Sequence, residues 1–172
     1  LWFVDHVEVP IDQHIFIILI IVDAASNLLW AVPQKTKLNA DSLAALEQGM
    51  DDLQVKPKAI VGDAYLHEPQ FKQFYQYHNI HPIPLGPHTP WPNRAEAGVK
   101  LFKKHFNILM HSIKQLEAQL PSLKHVTVRF VLRKACWARN ISITYGGRTP
   151  LEIAFGRKPP DIMSIETMTA IQ

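Results

Sequence analysis

The sequence predicts an α/β domain in which a mixed five-stranded sheet is flanked by helices. Three observations predict it. Residues 2–32 carry three strand-like segments joined by turns too short for anything but antiparallel neighbours. From residue 42 onward, helical and strand-like patterns alternate, which marks crossover connections. Residues 16–22, Phe-Ile-Ile-Leu-Ile-Ile-Val, are apolar without alternation, as expected of a strand buried on both faces.

Residues 2–9 alternate, are rich in β-formers and end at Pro10, which gives a first strand. Residues 11–14 form a short turn into the second strand, 14–24. Ser26 and Asn27 supply turn chemistry, and residues 28–32 form a third strand closed by Pro33. An amphipathic helix over 42–53 is entered through Asn39 or Asp41. Residues 57–61 form a short apolar fourth strand, and 68–78 a second helix. The fifth strand, 80–85, is interrupted by Pro82 and so belongs at a sheet edge. A proline-bearing loop (Pro87, Pro90, Pro92) then leads into a third helix ending near Leu116. Asn93 is a good N-cap type for it, and Glu96 has the capping-box spacing. Glu96, Lys100 and Lys103 fall on one face of that helix, beside an apolar stripe of Val99, Phe102, Phe106 and Leu109. A last helix covers 126–140, and 145–160 reads as a basic loop.

A chain of 172 residues with 47% apolar content can bury a proper core and is not disordered. Net charge is +3 and the sequence pI is about 9.0, a mild basic bias compatible with a polyanionic partner. The single cysteine, Cys136, cannot form an internal disulfide, so a reducing, intracellular setting is expected. Residues 1–5 lack the basic segment of a signal peptide, and 16–22 is too short to span a bilayer, so no membrane partner is expected. The chain opens without Met, already in a strand, and is expected to be part of a longer polypeptide.

Three carboxylates stand at informative places. Asp5 is mid-strand among apolar neighbours, where aspartate is depleted. Asp63 follows the fourth strand with only Gly62 between, at the end of a strand where helix-flanked sheets place their chemistry. Glu96 opens a helix. Singly, each reads as a cap or turn residue. If the first and fourth strands are neighbours and the third helix crosses them, all three converge. Such a set needs a cation: Mg²⁺ takes carboxylates and completes its shell with phosphate oxygens, and a pair of such ions clamps an in-line phosphoryl displacement. Lys100 and Lys103 then present a basic strip to the polyanion. Trp91, in the preceding loop, can stack on an unpaired base or pack on its own loop.

These segments look familiar together. Trp2, Phe3, Val4 and Asp5, followed by residues 22–33, resemble the opening of the catalytic core of retroviral and retrotransposon integrases. Asp63 with Phe71, then Asn79, Ile80 and His81, resemble that family's second-aspartate segment. Residues 89–96 resemble the loop that delivers its glutamate, and 147–159 the tail found after the core in long-terminal-repeat retroelement polyproteins. The likeness runs over nearly the whole chain. It implies a ribonuclease-H-like fold, with residues 1–142 as catalytic core and 143–172 as a basic C-terminal extension. It implies an Asp5, Asp63, Glu96 triad holding two Mg²⁺ or Mn²⁺ ions for 3′-end processing and strand transfer. Lys100 and Lys103 are the implied DNA contacts, with Asn93 and Trp91 as further candidates. Element-end DNA, target DNA and a homodimer or higher oligomer are the implied partners, and the nucleus the implied place of action on host DNA.

The sequence departs from the family in three ways. The interval from Asp63 to Glu96 is slightly short, Ala64 and Tyr65 replace the usual Asn-Gly, and Asn93 after Pro92 replaces a flexible Gly. These departures keep open a catalytically silent remnant serving as a nucleic-acid-binding or dimerisation module. A cut-and-paste transposase core shares the chemistry, but the 147–159 tail argues against it. True ribonuclease H would want a glutamate from the first helix, for which Glu47 is available. The family's zinc module needs paired His and paired Cys, which one cysteine rules out. His78 and His81 read as structural or exposed, and His67 as a helix N-terminal residue within reach of the site. Trp2, Trp30 and Trp137 read as core. Arg133, Lys134, Arg139, Arg148, Arg157 and Lys158 are available to bind DNA or a second subunit, with a solvated basic face as the default reading.

Overall fold

The computed structural model describes residues 1–11, 13–85, 94–117, 119 and 127–156, apart from the side chains of 94–97. Five strands form one mixed sheet in the order β3-β2-β1-β4-β5. Strands β1 (Trp2–Ile11), β2 (His14–Asp23) and β3 (Leu29–Gln34) are an antiparallel meander. Helix α1 (Asn39–Leu53) crosses to β4 (Ala59–Gly62), which runs parallel to β1. A 3-10 turn (Ala64–His67) and helix α2 (Pro69–His78) cross to β5 (His81–Pro84), parallel to β4. Helices α3 (Arg94–Glu117), α4 (Val128–Ser142) and α5 (Pro150–Phe155) follow. The expected mixed sheet with flanking helices, the ribonuclease-H-like arrangement, is the one found.

The side-chain alternation of β1 builds two cores, one on each face of the sheet. Phe3, Val7 and Val9 face α3 and α4, where they pack with Phe102, Phe106, Leu132 and Cys136. Trp2 and Val4 face α1 and α2, where they pack with Leu46, Leu66, Phe71 and Tyr75. Central β2 feeds both cores: Ile18 to Val22 are fully buried, as the unalternating apolar run predicts.

Two prolines expected to end strands sit inside them. Pro10 pairs with Ile15 in the β1–β2 ladder. There β1 is bonded on one side only, because its pairing with β4 is confined to Trp2 and Phe3. Pro33 lies within β3, an edge strand. Both positions tolerate a missing N–H. On β5, the amides of His81 and Leu85 donate inward, to the carbonyls of Lys58 and Gly62. By alternation, the nitrogens of Pro82 and Pro84 face the open edge. On β3, the Asn140 carboxamide takes both backbone groups of Leu29, accepting from its N–H and donating to its carbonyl at 2.9 Å each.

The tail expected to be a loop instead contains α5. Thr149 caps it reciprocally with Glu152, and Pro150 opens its first turn. The residues just before it, Gly146 and Gly147, both have positive φ, which lets Tyr145 and Arg148 close a tight turn. Among the described residues, no helix is long and apolar enough to cross a membrane.

Candidate active site

Parallel strands β1 and β4 pair Trp2 with Ile60 and Phe3 with Val61. Continued two residues past the last pair, that register would set Asp5 level with Asp63, which lies one residue beyond the end of β4. Phe3 and Val61 both belong to the core beneath α3 and α4, and alternation along β1 carries Asp5 to that face. Neighbouring strands lie about 4.8 Å apart, so a continued register would bring the two carboxyl groups close together.

Local structure explains why the chain delivers Asp63 there. Gly62 closes β4 with no side chain: a Cβ would strike the end of Leu66 and come 3.1 Å from the Val4 carbonyl oxygen. Its own carbonyl accepts from Leu85 N at 3.0 Å, and His67 Nε2 lies 3.3 Å from it. Asp63 is still extended (φ −64°, ψ 166°), and its carbonyl accepts from Leu66 N, opening the 3-10 turn. Its exposed carboxylate takes no part in capping that turn. Asp5 is half-buried, and its Oδ1 accepts from the His6 amide at 2.7 Å.

Tyr65 reports on the charge gathered here. Burial pushes its phenol well above the ordinary range, and the negative charges of Asp5 and Asp63 push it further, as does Tyr75. The phenol therefore lies within electrostatic reach of both aspartates. Its ring stacks on His6 at 4.8 Å and meets Phe71 edge-on at 6.0 Å. Its hydroxyl is buried with no hydrogen-bond partner among the described residues. His6, on the opposite face of β1 from Asp5, reaches α1: its Nε2 is 3.1 Å from Ser42 Oγ, which accepts from Gln34 Nε2 at 3.0 Å. Burial holds His6 below the usual imidazole range. The sequence analysis did not single out this bracing, because contacts between β1, α1 and the 3-10 turn leave no periodic trace.

Glu96 falls in the first turn of α3, one turn before Val99, which is buried against the sheet. The Glu96 side chain lies outside the described residues, as do Trp91 and Asn93. Lys100 is exposed and Lys103 half-buried on the same helix. Among the described residues, no group of three or more His, Cys, Asp or Glu side chains is assembled. Two carboxylates on adjacent strands are hard oxygen donors that repel each other unless a cation lies between them, and this set fits a hard divalent ion.

Other candidates fall elsewhere. Glu47 is exposed on α1, on the opposite face of the sheet from Asp5, and lies 3.8 Å from His78 Nε2. His78 packs on Phe74 at 4.4 Å, and His81 is exposed. His67 ends the 3-10 turn rather than opening α2. Trp2 is buried and Trp30 half-buried, but Trp137, expected in the core, is 44% exposed, because it lies on the outer side of α4. The expected solvated basic face is also divided. Arg133 pairs with Asp52 at 3.0 Å, as does Arg129 at 2.8 Å, whereas Arg139 is buried within the protein.

The fold has clear counterparts among solved structures. The chain superposes on the catalytic core domain of human T-lymphotropic virus 2 integrase, solved in complex with magnesium, at a TM-score of 0.68 and 17% identity; the match covers 89% of this chain and 94% of that one. It superposes on the bovine immunodeficiency virus integrase core at 0.68 and 17% identity, covering 99% and 97%. It also matches a chain of a simian T-cell lymphotropic virus intasome at 0.71 and 16% identity, covering 94% of this chain but spanning only 56% of that one. The fold is that of retroviral integrase catalytic cores. No protein-family model matches the sequence. No curated protein matches it either.

Proposed function

We propose that this chain is the catalytic core of a long-terminal-repeat retrotransposon integrase, a metal-dependent polynucleotidyl transferase acting on DNA. What supports the reading is an integrase-core fold in which parallel β1 and β4 pair Phe3 with Val61, two residues before Asp5 and Asp63. Asp5 and Asp63 hold Mg²⁺ or Mn²⁺, and Glu96, in the first turn of α3, completes a second ion's site. Bound divalent ions would supply Lewis-acid stabilisation of the phosphate and a more acidic water. The chain's own residues do the rest. Lys100 and Lys103 hold the DNA backbone beside the carboxylates, and Asn93 and Trp91 contact the strand end. No protein nucleophile is required: water attacks in 3′-end processing, and a DNA 3′-hydroxyl attacks in strand transfer.

On this reading, residues 1–142 form the catalytic core and 143–172 a basic extension within a longer polyprotein. The core works as a homodimer or higher oligomer, on element-end and target DNA, in the nucleus. We expect Glu96→Gln, in the full-length protein, to reduce Mg²⁺-dependent strand transfer at least about a hundredfold, since metal-ion stabilisation is worth several kcal/mol. Its circular dichroism should match the parent's. Full activity in that variant would sink the assignment.

A second reading, a catalytically silent DNA-binding or dimerisation module, draws support from Tyr65, whose bulky ring follows Asp63 where the family usually carries Gly. Diffraction from crystals soaked in Mn²⁺ separates the two: ions between the three carboxylates favour the enzyme, and carboxylates splayed apart favour the silent module.

A further inference from the structure

A second site lies away from the carboxylates, where the β2–β3 turn, α3 and α4 meet. A cleft of about 520 Å³ opens there. Buried Arg139 and Ser26 line its depth, Leu101, Ile143 and Tyr145 its walls, and exposed Ala25 its rim.

Arg139 is only 1% exposed, and among the described residues it makes no ion pair. One corner of its guanidinium is used: Nη1 donates to the Asn27 carbonyl and to Asn140 Oδ1. The other edge is not. Nε is buried with no acceptor, and Nη2 makes no hydrogen bond among the described residues. The acid of the adjacent turn, Asp23, is occupied with the Ser26 amide and hydroxyl at 2.8 and 2.7 Å. Beside Nη2 stands Gly98, where a Cβ would come within 3.1 Å of that nitrogen. The missing side chain leaves the unused edge room.

A buried guanidinium with unused donors is costly, and it is a group suited to carboxylate or phosphate. The cleft is much larger than a bare oxyanion and falls in the range of small-molecule sites. Its apolar walls and the exposed ring of Tyr145 suit a flat body attached to the anion. A basic chain favours phosphate as that anion. We propose that this cleft binds one nucleotide, with its phosphate on the Arg139 guanidinium and its base against Tyr145. The nucleotide is either free or part of a single strand.

Calorimetric titration of the full chain in EDTA tests this without involving the carboxylate site, so failure here and failure of the integrase reading are distinguishable. Deoxythymidine monophosphate should bind saturably. Thymidine and inorganic phosphate should each bind at least about tenfold more weakly. Two substitutions at exposed positions, neither expected to unfold the chain, probe the cleft. Ala25→Trp, which fills the rim, and Tyr145→Ala, which removes the stacking ring, should each weaken binding about tenfold. A deoxythymidine octanucleotide that binds more tightly than the monophosphate, and loses that binding in both variants, identifies the strand as the source; weaker binding identifies the free nucleotide. Thymidine or phosphate binding as well as the monophosphate, or an undiminished affinity in Ala25→Trp, would overturn the proposal.

Discussion

At the scale of single residues, the smallest side chain controls the most important distance. Gly62 lets the end of β4 lie close against β1, because a methyl group there meets the Val4 backbone oxygen, which has no rotamer to turn away. Gly62→Ala should therefore destabilise the fold by about 2 kcal/mol, the usual cost of overpacking, seen as a lowered urea midpoint with unchanged slope. An unchanged midpoint would mean that the strands separate without penalty. Asp5 and Asp63 stand out in the sequence as candidates. A carboxylate inside an apolar strand, and another one residue past a strand, are each out of place by local rules. Their neighbours were not legible: His6 and Tyr65 meet only because β1 and the 3-10 turn are folded side by side. Arg139 misled for a related reason. Arginine is ordinarily exposed, and nothing local shows that the β2–β3 turn closes over it.

At the scale of elements, the order and type of the five strands and four longer helices were legible, because each carries its own period and turn chemistry. The misreadings cluster at proline and in the tail. Proline at residues 10 and 33 reads as a stop, although a strand bonded on one side carries it without loss. Helix α5 was missed because six residues are too few to show a helical period, although Thr149, Pro150 and Glu152 spell its capping box. That box sets the stability of the element. Thr149→Ala should cost about 1 kcal/mol. Hydrogen exchange should show the loss locally, in faster exchange at Ile153 and Gly156, whose amides bond back into this helix, with the sheet amides unchanged. Equal acceleration across the sheet would show instead that α5 is cooperative with the core.

At the scale of the whole molecule, two cores share one sheet, and each has a partly buried histidine beside it: His6 among α1 and the 3-10 turn, His105 on α3. Burial lowers both below the ordinary imidazole value, aided at His105 by the charge of Lys104. The unfolded chain therefore takes up these protons first as pH falls. Their stabilising contribution is fully present above about pH 6.5 and is lost as pH falls through the depressed folded values. Urea midpoints should drop between about pH 7 and about pH 5, and His105→Gln should flatten part of that slope. A midpoint independent of pH across this window would contradict the burial of both rings.

The rims of the sheet have a bearing on how copies of this chain can meet. An open strand edge is a template on which another chain can add a strand, and from there grow without limit. Here the β5 rim presents the nitrogens of Pro82 and Pro84, which have no hydrogen to offer an incoming strand. At the opposite rim, the Asn140 carboxamide already holds the Leu29 amide and carbonyl. At those positions both rims are poor templates for strand addition, which disfavours growth by edge-to-edge pairing there.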